Sequence, residues 1–420
     1  MKQLIFLVAG IGLSAGSLAA EIAITADSAV EMALERNVSA ERGKIAFEAL
    51  KRASDTSWNF ALPKVTASGA VRRGTVSETN TYSMSLGASL SVSPSIVQAI
   101  EKTRLDYESG AITRESALRD VERSARKAFY GILYEREYVT MLEGSVETAR
   151  RQYDQVLAKQ RSGLVPEVDA LSARVSLERL KPTLEAARTA LLGDMANFKR
   201  LLGIGQDETV SLSGSLADAL VDESIDLSGV APMSAAVAKL EKNLEIARAT
   251  KSVTKSSYLL PTLSLAYSYN PTKVDVPGGK WEDAGYVSAS VSLALDGYLP
   301  FSSAANAIAA ASDSVRDAEL ALADGRVKDA IERDSIVREI ERSLSSLQAH
   351  RLSVELAERT YSLTNEAYRS GTRDILMLQD AADSLNEART NLMKEEYALI
   401  SAVLDLEYAT GVPFGTLGRN

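Results

Sequence analysis

The chain has no cysteine and only one histidine in 420 residues. Without cysteine there is no disulfide framework, no thiolate metal site and no lipid-bearing N-terminal Cys. His350 alone cannot assemble a histidine metal site, and it falls in a helical stretch where an interface or surface role suffices. Charge of one sign is also missing: 47 basic residues face 56 acidic ones, a net charge of -9. That argues against nucleic acid as a partner. There is no P-loop, nucleophile elbow or metal-ligand cluster, so neither an enzyme nor a cofactor is expected. Long apolar runs are absent as well. Leu4 to Leu13 is apolar but too short to span a bilayer, which takes about 20 residues.

The N-terminus reads instead as a secretory signal at residues 1–20. Lys2 supplies the charge, Leu4 to Leu13 the apolar core, and Ser17-Leu18-Ala19 a small-x-small cleavage site. An exported chain is expected.

Past the signal, the same module occurs twice. Arg161-Ser162-Gly163 returns as Arg369-Ser370-Gly371, Tyr153 as Tyr361, and Gly203 as Gly411. The spacing stays constant across these points. Packed helices demand this, because one extra residue rotates the apolar face by about 100°. Leu62-Pro63 and Leu260-Pro261 each precede an alternating segment. Residues 21–203 and 232–420 therefore form two repeats, joined by an acidic linker at 204–231 that contains Asp207, Glu208, Asp218, Asp222 and Glu223.

Each repeat reads helix, two strands, long helix, shorter helix. Leu118, Val121, Ala125, Ala128, Ile132, Val139, Leu142, Val146, Ala149, Tyr153 and Val156 follow an alternating 3,4 spacing, broken only at Glu135. This is a coiled-coil seam on a helix of about 65 residues, roughly 100 Å long. Ile336, Ile340, Leu347, Val354, Ala357 and Tyr361 repeat it, with Ser343 and His350 at polar seam positions. Pro182 is expected to kink the first returning helix.

Four segments alternate with period two. Tyr82, Met84, Leu86, Ala88, Leu90 and Val92 alternate with serines and Gly87; Leu263 to Tyr269 and Val287 to Leu295 behave alike, and Val65 to Val71 is weaker. At about 10 residues they match tilted bilayer-spanning strands. Period two by itself does not separate a lipid face from a protein core. Four strands cannot close a barrel, and open edges are not tolerated in lipid. If the strands span a membrane, several chains must share one barrel, and three chains would supply twelve strands. The fold class is mainly α with a small β part. A structural periplasmic coiled-coil protein is the alternative reading.

The duplicated layout, the Leu-Pro before each hairpin, and the turns Gly163-Leu164-Val165-Pro166 and Gly371-Thr372-Arg373-Asp374 make the chain resemble the TolC-like outer-membrane efflux protein family. The resemblance covers essentially the whole mature chain. It implies a homotrimer with a 12-stranded barrel in outer-membrane lipid and a helical tube in the periplasm. It also implies a periplasmic adaptor and an inner-membrane pump as partners, in efflux or type I secretion. Asp169, Tyr368 and Arg373 match a constriction network that holds the tube shut. Asp380 matches an acidic ring at the pore entrance, while Met377 stands where the family has a second ring. Gly163, Leu164, Gly371 and Thr372 match the tips that meet the adaptor.

Overall fold

The computed structural model describes residues 22–76, 78–217 and 234–417. The signal segment and the linker residues Asp218, Asp222 and Glu223 lie outside them. The first repeat runs β1 (Ile22–Ile24), α1 (Ala26–Arg36), α2 (Val38–Asp55), β2 (Lys64–Arg73), β3 (Asn80–Val92), α3 (Ser95–Arg161) and α4 (Glu167–Leu202). After β4 (Val210–Leu212) the second runs α5 (Ala235–Leu259), β5 (Thr262–Tyr269), β6 (Thr272–Val274), β7 (Gly285–Ser292), α6 (Ser303–Arg369) and α7 (Ile375–Thr410).

Both long helices contain 67 residues and both returning helices 36. At 1.5 Å per residue the long ones reach about 100 Å. The expected seam is the packed face. Val121, Ala125, Ile132, Val139, Leu142, Ala149 and Val156 are buried on α3. On α6, Ile340, Ser343 and Leu347 are buried. α4 passes through Pro182 without a break.

Glycine ends the long helices for a stereochemical reason. Gly163 and Gly371 have φ of +72° and +78°, where a Cβ would be strained. This lets Leu164 N–H reach the Lys159 carbonyl and Gly163 N–H the Gln160 carbonyl, both at 2.9 Å. Thr372 and Gly371 repeat that pattern on Ala367 and Tyr368. Two of the carbonyls left over at each helix end are thus satisfied.

The lateral order is the same at every height. At the tip the helices pack as α4-α3-α7-α6, above them as α2-α3-α5-α6, and the strands as β2-β3-β5-β7 with β6 on β3. One flank always belongs to the first repeat and the other to the second. Within the sheet, the register puts Val65, Ala67, Gly69 and Val71 on one face with Ala88, Leu86, Met84 and Tyr82. Tyr269, Tyr267, Leu265 and Leu263 continue that face, followed by Ala289, Val287 and Val291. The opposite face is mostly Ser and Thr. Val65, Val71, Val287 and Val291 are exposed, and no helix covers them.

The repeats join at mid-height. Ile24 and α1 residues Ala29, Val30 and Ala33 pack against Phe129, Ile132 and Leu133 of α3, Phe198 and Leu202 of α4, and Leu404 of α7. The parallel β1–β4 pair, which the sequence pattern does not announce, ties residues after the signal to the linker. Arg119 locks the end of α7 by donating to the carbonyls of Glu407, Gly411 and Val412 at 2.7–2.9 Å. The buried Glu407 carboxylate accepts the Thr416 and Leu417 N–H groups, both at 2.9 Å.

Candidate functional site

The tip carries the expected constriction residues. Asp374 caps α7 by accepting the Met377 N–H at 2.9 Å. This fixes the first turn of α7 beside the end of α6. Tyr368 is buried there with Val156, Ala170, Ala173, Ile375 and Leu378. The Lys159 ammonium lies 4.7 Å over its ring. Burial raises the Tyr368 hydroxyl above its ordinary range, and the nearby Asp169 carboxylate adds to this. The structure therefore brings Asp169 and Tyr368 together.

Arg373 does not join them within one protomer. Its guanidinium donates to the Met377 sulfur at 3.1 Å. A carboxylate at 377 would form an ion pair with this guanidinium, whereas the thioether offers no countercharge. Asp380 and Met377 share a shallow groove of about 430 Å³ with Thr360, Thr364 and Ser384. Among the tips, Leu164 is exposed and apolar. Thr372 instead spends its hydroxyl on the Ala367 carbonyl at 3.0 Å. The two turns share a backbone but present different chemistry.

Further up, the two coiled coils are bridged by polar contacts. Ser145 meets Asn386 at 2.9 Å, and Arg179 pairs with Asp383. A polar cleft of about 350 Å³ separates the pairs there, lined by Gly144, Ser145, Gln152, Tyr361 and Asn386. Gly144, Ser145 and Ala149 of α3 are among the small residues that line it.

The seam break at Glu135 marks a carboxyl pair that the sequence pattern does not announce. Glu135 on α3 faces Asp194 on α4, and burial, then the Asp194 carboxyl, raises it to about 7. One Glu135 carboxylate oxygen is buried without a partner. Tyr397 of α7 completes the cluster. Its ring stacks on Tyr134 at 5.8 Å. Burial raises Tyr397, and Asp194, Asp405 and Glu135 add to it.

No described helix is long and apolar enough to cross a membrane. The surface that demands an apolar environment is one face of the sheet, at the end of the molecule opposite the glycine tips. A bare sheet above a helical shaft has unpaired edges on both flanks and an apolar face that no described helix covers. Residues 31–204 and 230–412 match the outer membrane efflux protein family, and the chain belongs to it. The two matched segments lie on either side of residues 205–229. The outer membrane protein TolC of Salmonella enteritidis is 23% identical over 299 residues, which cover 68% of this chain. The matched region spans 59% of the length of that relative. The fold is shared with the CmeC outer membrane channel of Campylobacter jejuni, at a TM-score of 0.77 and 15% identity, over 92% of this chain and 85% of that one. It is shared too with the open state of the MtrE outer membrane channel of Neisseria gonorrhoeae. There the TM-score is 0.72 and the identity 16%, over 94% of this chain and 91% of that one.

Proposed function

We propose that the chain forms a ring-shaped homotrimeric outer-membrane channel, the exit duct for an inner-membrane pump working through a periplasmic adaptor. The observation that carries this is the shared lateral order at three heights. Each level ends in an unpartnered flank of the first repeat and an unpartnered flank of the second. Such flanks complement each other head to tail, and a head-to-tail contact that closes makes a ring.

The exposed side chains support this pairing. Leu164 in the turn and Val168, Leu171 and Val175 of α4 are exposed at 4,3,4 spacing. On α6, Leu352, Leu356 and Leu363 are exposed. Higher up, Val38 and Ile45 of α2 stand opposite in sense to Leu320, Val327 and Ile331 of α6. Antiparallel packing of α4 and α2 on the next protomer's α6 covers all of them in a coiled-coil manner. The same step pairs the free edge of β7 with that of β2. Three copies give twelve helices around a tube and twelve strands around a barrel. The barrel's apolar face meets lipid and its Ser/Thr face lines a wet lumen.

In this reading the duct is passive and its energy comes from the pump. Asp169, Tyr368 and Arg373 form the gate at the inner tip, with Arg373 serving the network between protomers, since it is unengaged by carboxylates within its own. Asp380 forms a single acidic ring at the entrance. The Gly163-Leu164 and Gly371-Thr372 turns dock the adaptor. The repeats at 21–203 and 232–420 are the two structural units of each protomer.

Single-channel conductance in planar bilayers tests the proposal, with the mature protein beside Asp169→Ala. Small steps that grow in the variant are expected. Unchanged steps would discard the gate but keep the duct. A folded protein without channel activity would leave a structural coiled-coil protein as the better account.

A further inference from the structure

The apolar face of the sheet is uneven in two ways. Small residues leave a groove in it. Ala67 and Gly69 of β2 lie beside Met84 and Leu86 of β3, and with Tyr269 and Trp281 they enclose about 640 Å³. That is a volume suited to a flexible apolar ligand.

Charge is also distributed unevenly on this face. By register, Lys273 pairs with Tyr82 and Arg73 with Asn80, so both cations belong to the apolar face. Among the described residues they are the only charged ones within the strands on it, and Asp275, just past β6, donates its N–H to the Asn80 carbonyl at 2.7 Å beside them. Both cations sit at the turn ends of the hairpins, the ends remote from the helices. Lys64, at the helix end of β2, pairs with Ser89 on the polar face. Neither Arg73 nor Lys273 has an ion-pair partner among the described residues. Carboxylates stand close to them: Asp275 accepts the Asn80 amide at 3.5 Å, and Asp283, which lines the groove, accepts the Tyr269 hydroxyl at 2.8 Å.

We propose that this groove, with Arg73 and Lys273 at its outer mouth, is a specific site for a phosphorylated glycolipid of the outer leaflet. An acyl chain lies over Gly69 between Met84 and Trp281, and the two cations hold the headgroup phosphate by charge-assisted hydrogen bonds. Lys273 is two residues from Pro271 in the groove wall, a rise of about 7 Å. An acyl chain in the groove therefore places its headgroup at the height of Lys273. Arg73 is one row further out. The asymmetry selects the leaflet. A lipid of the inner leaflet would meet the helix end of the same face, which offers no cation. A closed ring of three copies carries three sites. The inference rests on the outer-membrane reading proposed above.

The test measures lipid binding by native mass spectrometry of the purified full-length mature protein in mild detergent. The probes are diphosphorylated lipid A, its dephosphorylated form, and phosphatidylglycerol. The variants are the Arg73→Gln/Lys273→Gln pair and Gly69→Phe. A Cβ at Gly69 meets nothing nearer than the Ser83 carbonyl at 3.9 Å, so Gly69→Phe fills the groove without disturbing the strand. Wild type should retain up to three diphosphorylated lipids per ring. Affinity should fall at least about tenfold when the phosphates are removed or either variant is used. Equal retention by wild type and the charge variant, or equal retention of phosphatidylglycerol, would overturn the site. Conductance of the same samples separates the two failures. Conducting rings without selective retention overturn only the lipid site, whereas a wild type that neither conducts nor binds lipid overturns the membrane reading itself.

Discussion

Replacing Glu135 by Gln probes how α3 and α4 are held together at mid-height. The folded protein raises this carboxyl from 4.5 to about 7. A raised carboxyl favours its protonated form in the folded state. Stability is therefore full below about pH 4.5 and is lost as pH rises to and beyond 7. The groups that interact with Glu135 are Asp194 from α4, Tyr134 from its own helix and Tyr397 from α7. None of them is a cation. At about 1.4 kcal/mol per pH unit, the full shift corresponds to roughly 3 kcal/mol. Glu135 is half-buried and Asp194 exposed, so solvent and the shared proton reduce this to about 1–2 kcal/mol. That is a factor of about 5–30 in an opening equilibrium. Hydrogen exchange of peptides covering residues 128–142, corrected for intrinsic rates, reads it directly. Between pH 5 and pH 8 the wild type should lose protection by that factor, while Glu135→Gln should stay flat. Parallel profiles for the two proteins would refute the shared-proton account.

Other expectations follow from single contacts. Arg119→Ala removes three carbonyl partners from the end of α7 and should cost about 2–4 kcal/mol, read as a lower urea midpoint. Gly203→Ala should destabilise by about 1–3 kcal/mol, because φ is +67° and the new Cβ would lie 2.6 Å from the Arg36 Cβ. A normal thermal midpoint would show that this close approach relaxes freely. Leu356→Glu places a charge in the proposed α4–α6 seam, and light scattering in detergent should find protomers instead of rings. Rings of unchanged stability would exclude that seam.

Much of the fold was legible because its rules are local. A period of two or 3.5 reports which side of an element is apolar, whatever it packs against. Glycine marks helix ends because only it adopts their backbone freely. The boundaries of α6 and α7 follow from those of α3 and α4 by the same spacing: Ser95, Arg161, Glu167 and Leu202 return as Ser303, Arg369, Ile375 and Thr410. The β1–β4 pair was not legible, since three residues carry no usable period.

The sequence by itself determined the duplication, the helix lengths, the hairpins and the glycine turns, each set within a few residues along the chain. Tertiary structure decided which of those faces meet. The seam break at Glu135 becomes a carboxyl pair only because the turn at Gly163 folds α4 back in one register, bringing Asp194 alongside. Arg119 finds Gly411 across the join between repeats. Arg373 is left with Met377, and Tyr368 with Asp169, by the way α6, α7 and α4 converge at the tip. Side-chain spacing fixes a face, but distance between remote faces depends on how helices cross, and that is a property of the packed whole.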